Sequence, residues 1–237
     1  MFVAGIILLA VGFLGVLIGA KTKQMPIAMI SAIVMIVGLG MYTYKSLNDD
    51  GADMEDAIIY QCAIMDQSGA FLKKNASGQK VVMIVDPTMD SYENGKKLLQ
   101  AKVEAFEKAY GKKPDVVKLE VEGLAEEDGG SIIDNMKAAD FEKIVAANSD
   151  AGIFLIDIGL PSGDVPDFGE AKVFLLNTGM ADDKDLKNAI EDEKIIGLVT
   201  TKSGKIDPEF TPDEDDLKGA FDSRYVIYGK HNIDKMK

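Results

Sequence analysis

The sequence predicts an α/β protein: a pair of apolar N-terminal helices followed by a three-layer, mostly parallel sheet domain. Three observations predict it. Two uncharged runs, residues 2–20 and 25–44, open the chain. From Lys80 onward, short apolar runs alternate with amphipathic stretches. The charge also divides. Residues 1–46 carry Lys21, Lys23 and Lys45 and no acid, so the net charge of −13 for the whole chain becomes −16 over the rest.

The first run, as a helix, is about 28 Å long, close to the hydrocarbon thickness of a bilayer. Only Lys21, Thr22, Lys23 and Gln24 separate it from the second. Two spans joined this tightly form a transmembrane hairpin in the lipid bilayer. A cleaved signal peptide is the alternative for the first run, but it has no basic n-region, and the second run would still anchor the product. Two lysines in the connecting turn against Lys45 on the outer flank place the turn in the cytoplasm. The soluble domain is then extracytoplasmic, in a periplasmic setting. Gly5, Gly12 and Gly19 recur every seventh residue, and Gly15 with Gly19 makes a GxxxG pair. Such a stripe packs closely on another helix, either the second span or a span of another protomer. The chain therefore divides into a hairpin (1–46), a linker with an amphipathic helix (47–79) and an acidic α/β domain (80–237).

The elements follow in order. Asp53 to about Lys73 reads as an amphipathic helix, with Met54, Ala57, Ile58, Cys62 and Met65 on one stripe. Cys62 is thus expected in the core. Lys80–Val85 is a continuous apolar run, as a strand covered on both faces requires. Asp90 and Glu93 form a capping-box pair for a helix ending at Tyr110 before Gly111. Asp115–Val121 is the second strand, and Ser131–Ala147 a helix. Ala151–Ile156, Ala171–Leu176 and Ile195–Thr200 are strands three to five, with a helix over 183–191. Residues 159–170 hold Pro161 and Pro166 and leave little room for a helix. A short helix near Leu217–Phe221 precedes a last strand or packing segment, Arg224–Tyr228. The pattern is that of a Rossmann-like sheet with right-handed crossovers.

Composition excludes several functions. The acidic balance argues against nucleic-acid binding, which needs Lys and Arg to displace counterions. One cysteine and one histidine, Cys62 and His231, exclude internal disulfides, thiolate zinc sites and histidine-rich metal centres. No G-x-G-x-x-G, phosphate loop or nucleophile elbow occurs. No cofactor is expected. Ligands of open α/β sheets bind beyond the carboxyl ends of the strands. Those ends offer Asp86, Thr88, Asp157, Asn177, Thr178, Thr200, Thr201 and Lys202, which either bind or merely cap turns. The candidate ligand-binding residues are Asp86, Thr88, Ser91, Asp157, Asn177, Thr178 and Thr201. Asp86 and Asp157 would also suit Mg²⁺, provided their strands are neighbours.

Leu155-Ile156-Asp157-Ile158-Gly159-Leu160-Pro161 resembles the phosphoacceptor segment of response-regulator receiver domains. The resemblance implies Asp157 as acceptor, Asp86 as metal-binding acid, Thr178 as switch hydroxyl and Lys202 as the strand-end lysine. It lacks the paired acids at the first strand and the helix before the switch strand. A broader stretch, residues 80–202, resembles one lobe of the type I periplasmic substrate-binding fold. Lys80–Pro87 with Ser91–Gly95 resembles its first strand, binding loop and helix. Residues 141–161 resemble the region ending in its third strand. Such proteins clamp a ligand between two lobes, and one run of strands here supplies one lobe. Taken together, the expected function is a non-enzymatic structural or accessory subunit, membrane-anchored and part of a homo-oligomer or larger complex. The alternative is a membrane-tethered small-solute binding or sensor protein.

Overall fold

A computed structural model describes Lys21 and residues 54–121, 132–163, 165–203, 207 and 210–236. The apolar runs 2–20 and 25–44, with Gly5, Gly12, Gly15 and Gly19, lie outside the described residues. Among the described residues no helix is long and apolar enough to cross a membrane. The chain divides into compact units at Ala57/Ile58, and the second, Ile58–Lys237, carries the sheet.

Helix α1 (54–75) precedes β1 (Val81–Val85), and a 3₁₀ turn (Pro87–Asp90) leads to α2 (Glu93–Tyr110). Then come β2 (Asp115–Lys118), α3 (Ile132–Asn135), α4 (Ala138–Ala147), β3 (Ile153–Ile156) and β4 (Lys172–Leu175). Helix α5 (Asp183–Glu191), β5 (Ile195–Thr201), α6 (Leu217–Arg224) and β6 (Tyr225–Tyr228) complete the order. The sheet runs β2-β1-β3-β4-β5-β6. β1 to β5 pair parallel, and β6 returns antiparallel on β5, with Val199 opposite Ile227.

Every residue of β1 and β3 is buried, whereas edge strand β2 is mostly exposed. The continuous apolar runs thus sit where both faces are covered. Alternate side chains feed two cores. Val82, Ile84, Phe154, Ile156 and Leu175 pack with Phe141 and Ile144 of α4 and Leu186 and Ile190 of α5. Val81, Met83, Val85, Leu155 and Phe174 pack with Met65 and Leu72 of α1, Phe106 of α2 and Phe221 of α6. Each fully buried large side chain contributes about 1.5–3 kcal/mol of burial free energy. The three-layer architecture read from the sequence is present, and α1 belongs to it. Cys62 is half-buried on α1, and burial pushes its thiol pKa up.

Three local expectations need correction. The 131–147 helix is broken into α3 and α4 at Met136 and Lys137, and the Asp140 carboxylate accepts from the Lys137 backbone N–H at 3.0 Å at the start of α4. The second strand ends at Lys118 rather than Val121. Asp90 does not cap α2; its N-cap is Tyr92, with no side-chain cap bond. Pro87 explains this. It starts a 3₁₀ turn whose cap is Asp86, and Asp90 at the end of that turn pairs instead with Lys118 at 2.6 Å. That hydrogen bond holds the Asp90 carboxyl below its usual range.

Candidate functional site

The chain leaves β1 toward β2 on one side and returns to β3 on the other. The strand order therefore reverses between β1 and β3, and their carboxyl ends diverge into a crevice. Parallel pairing with Val81 opposite Ile153 sets Asp86 and Asp157 just beyond adjacent strand ends, as the sequence led us to expect. A cleft of 520 Å³ opens there. It receives Asp86 from β1, Asp157 from β3, Asn177 and Thr178 from β4, and Thr200 and Thr201 from β5.

Lys102 forms part of the wall. It sits on the buried stripe of α2 with Val103, Phe106 and Tyr110. Its ammonium donates to both Asp157 oxygens, at 2.5 and 2.6 Å. The two side chains are 4% and 11% exposed, so this is a buried ion pair. Neither partner can be removed cheaply, because the survivor would stay charged and desolvated. The pair bolts α2 to the end of β3. Both Asp157 oxygens are thus engaged by a lysine, and among the described residues no group of three or more His, Cys, Asp or Glu side chains is placed to hold a metal ion. Lys202 donates its ammonium to the Asp222 backbone carbonyl.

Two loops shape the rim. Asp86 accepts from the backbone N–H and the hydroxyl of Thr88, both at 2.7 Å, through one oxygen. This fixes the carboxylate and consumes Thr88 in the turn. The Asp86–Tyr92 loop then folds onto the first turn of α2. A Cβ at Gly95 would lie 1.9 Å from the Met89 carbonyl oxygen, so glycine is required there. On the far side, Asn177 donates to the Asp157 carbonyl and accepts from the Gly179 N–H at 2.9 Å. Gly159 and Gly179 are both left-handed, at φ +80° and +64°. A side chain on Gly159 would strike Gly179 at 2.3 Å, so the loops after β3 and β4 lie flush.

Of the seven residues proposed from sequence, Asp86, Asp157, Asn177, Thr178 and Thr201 line the cleft. Thr88 and Ser91 do not. Thr88 is held by Asp86, and Ser91 is the C-cap of the 3₁₀ turn, its backbone N–H donating to the Thr88 carbonyl at 2.9 Å. Sequence reasoning missed Lys102, Gln61, Tyr92 and Tyr225, which all line the cleft. A signal existed for Lys102: a lysine set on the apolar stripe of a helix wants a buried acid. Gln61 and Tyr225 carried none, since only the folded sheet brings α1 and β6 to the same edge.

No family model and no curated protein matches the sequence. Among solved structures, the chain is similar to an ABC transporter periplasmic solute-binding protein from Actinobacillus succinogenes, solved with D-allose. Identity there is 8% and the TM-score 0.42, covering 75% of this chain and 62% of that one. It is also similar to an arabinose-binding protein from Geobacillus stearothermophilus, at 12% identity, TM-score 0.42, and coverage of 75% and 63%. A carbohydrate transporter from Acidothermus cellulolyticus, in complex with myo-inositol, gives 12%, TM-score 0.41, and coverage of 74% and 59%. The chain spans about six tenths of the length of these structures. The likeness is to the fold of periplasmic sugar-binding proteins.

Proposed function

We propose that this is a membrane-tethered binding or sensor protein for a small polar solute, with the strand-end cleft as its site. The observation that carries the reading is the convergence of polar residues from β1, β3, β4 and β5 on one cleft of 520 Å³. Small-molecule sites have this form: mostly apolar walls and a few fixed polar groups at a switch point. Binding rather than turnover is supported by the state of the charged groups. Lys102 and Asp157 saturate each other, which suits a rigid floor better than a proton-transfer pair. The lysine bias around the apolar runs supports an extracytoplasmic domain.

A second reading, the structural or accessory subunit of an oligomer, draws on Tyr92, Ile133 and Met180. These are 54%, 41% and 49% exposed, the first two on the cleft and the third just beyond the Gly159–Gly179 contact. Apolar side chains grouped at one edge suit a protein partner.

The test is a thermal-shift screen of the full chain, in mild detergent, against a library of small polar solutes. The binding reading expects one chemical class to raise the melting temperature, and Thr201→Phe, which fills the cleft, to abolish the rise. A rise that survives Thr201→Phe, or no rise with any solute, would overturn it.

A further inference from the structure

Among the described residues, the cleft carries one charge that no ion pair balances. Its described charged lining residues are Asp86, Asp157 and Lys102. Lys102 spends its ammonium on both oxygens of Asp157, so these two cancel. Asp86 remains. One of its oxygens is held by Thr88, which fixes the group without neutralising it. Asp86 is half-buried, so a solute closing over it removes water from an ionised carboxylate. A neutral solute repays that desolvation only in part, and an anion adds to it. An ammonium group repays it through a charge-assisted hydrogen bond, roughly twice as strong as a neutral one.

The same loop supplies a surface for the rest of such a molecule. Met89 and Tyr92 line the cleft beside Asp86, and Tyr92 leaves 54% of its surface open at the mouth. A thioether and a tyrosine ring next to a carboxylate suit an alkylammonium. The ring face attracts the cation, and both side chains cover its methylenes. The acidic chain, at −13 overall, draws cations toward it from a distance.

Building on the reading of the cleft as a solute site, we infer that its solute is a small organic cation, an alkylamine whose ammonium rests on Asp86 and whose carbon chain lies along Met89 and Tyr92.

Calorimetric titration of the full chain in mild detergent at low salt tests this, with three five-carbon probes: cadaverine, arabinitol and glutarate. Cadaverine is expected to bind one per chain, and the other two not. Asp86→Asn keeps an oxygen for the Thr88 N–H and so keeps the turn. It should weaken cadaverine about tenfold or more. Tyr92→Leu leaves the carboxylate in place and should weaken it about three- to fivefold. Glu170→Gln, which removes an exposed acid before β4, should change nothing. Equal losses in Asp86→Asn and Glu170→Gln would mean unspecific attraction to an acidic surface and would overturn the inference. Arabinitol binding that Thr201→Phe abolishes, without cadaverine binding, would overturn the cation while leaving the solute site intact. Silence from all three probes would also overturn the inference, and the solute site itself would then be judged by the broader thermal-shift screen.

Discussion

Lys102 and Asp157 together decide what kind of site this is. A lysine with its ammonium 2.5 Å from a carboxylate, both nearly out of water, is stable only as a pair. Lys102→Met should therefore destabilise the domain by about 3–5 kcal/mol, because Asp157 is left charged and buried. Lys102→Met combined with Asp157→Leu should recover most of that loss, since an apolar pair of similar volume is often neutral or better. Chemical denaturation of both variants measures it; a double variant as unstable as the single one would contradict this account of the pair. Asp157 was legible in the sequence as a strand-end acid. Its partner was not, because the pair joins residues 55 positions apart and only the packing of α2 on the sheet brings them together.

At the scale of elements, the sequence showed the strands better than their margins. The runs at Lys80–Val85 and Ala151–Ile156 read as buried strands because both faces of β1 and β3 are covered, and covering both faces demands unbroken apolarity. Asp115–Val121 read too long. An edge strand gains pairing on one side alone, so its apolar residues do not mark where pairing stops. The entry to α2 was misread because two local signals competed. The capping box of Asp90 and Glu93 lost to Pro87, whose fixed φ begins a 3₁₀ turn. That turn lays the Met89 carbonyl against Gly95, so the rim loop depends on one missing side chain. Gly95→Ala should force the loop outward and cost about 1–3 kcal/mol of stability through overpacking. A melting curve unchanged by Gly95→Ala would show that the loop does not rest on the helix.

For the whole molecule, the excess of acid sets the response to pH. Lys118 beside Asp90 and Lys80 beside Asp150 hold these carboxyls below their usual range, in each case chiefly through a side-chain hydrogen bond. A carboxyl whose folded pKa is depressed adds stability above its unfolded pKa, near 4, and loses it as pH falls through the folded value. Stability should thus hold from neutral pH down to about 4 and then decline. Melting temperatures across that range check the sign, and a midpoint that rises on acidification below pH 4 would contradict it. The three-layer sheet was legible from alternating runs alone. The cleft was legible only in outline, since its strand-end acids and hydroxyls stand in the sequence while Gln61 and Tyr225 reach it through tertiary packing.

The central claim is that the strand-end cleft holds a small solute. Native mass spectrometry of the full chain, purified in mild detergent from the cells that express it, tests it most directly, because it weighs subunits and retained ligands together. The account predicts a small-molecule adduct on the chain that disappears in Thr201→Phe. A bare polypeptide, found only as part of a larger assembly, would contradict the claim and favour the structural subunit.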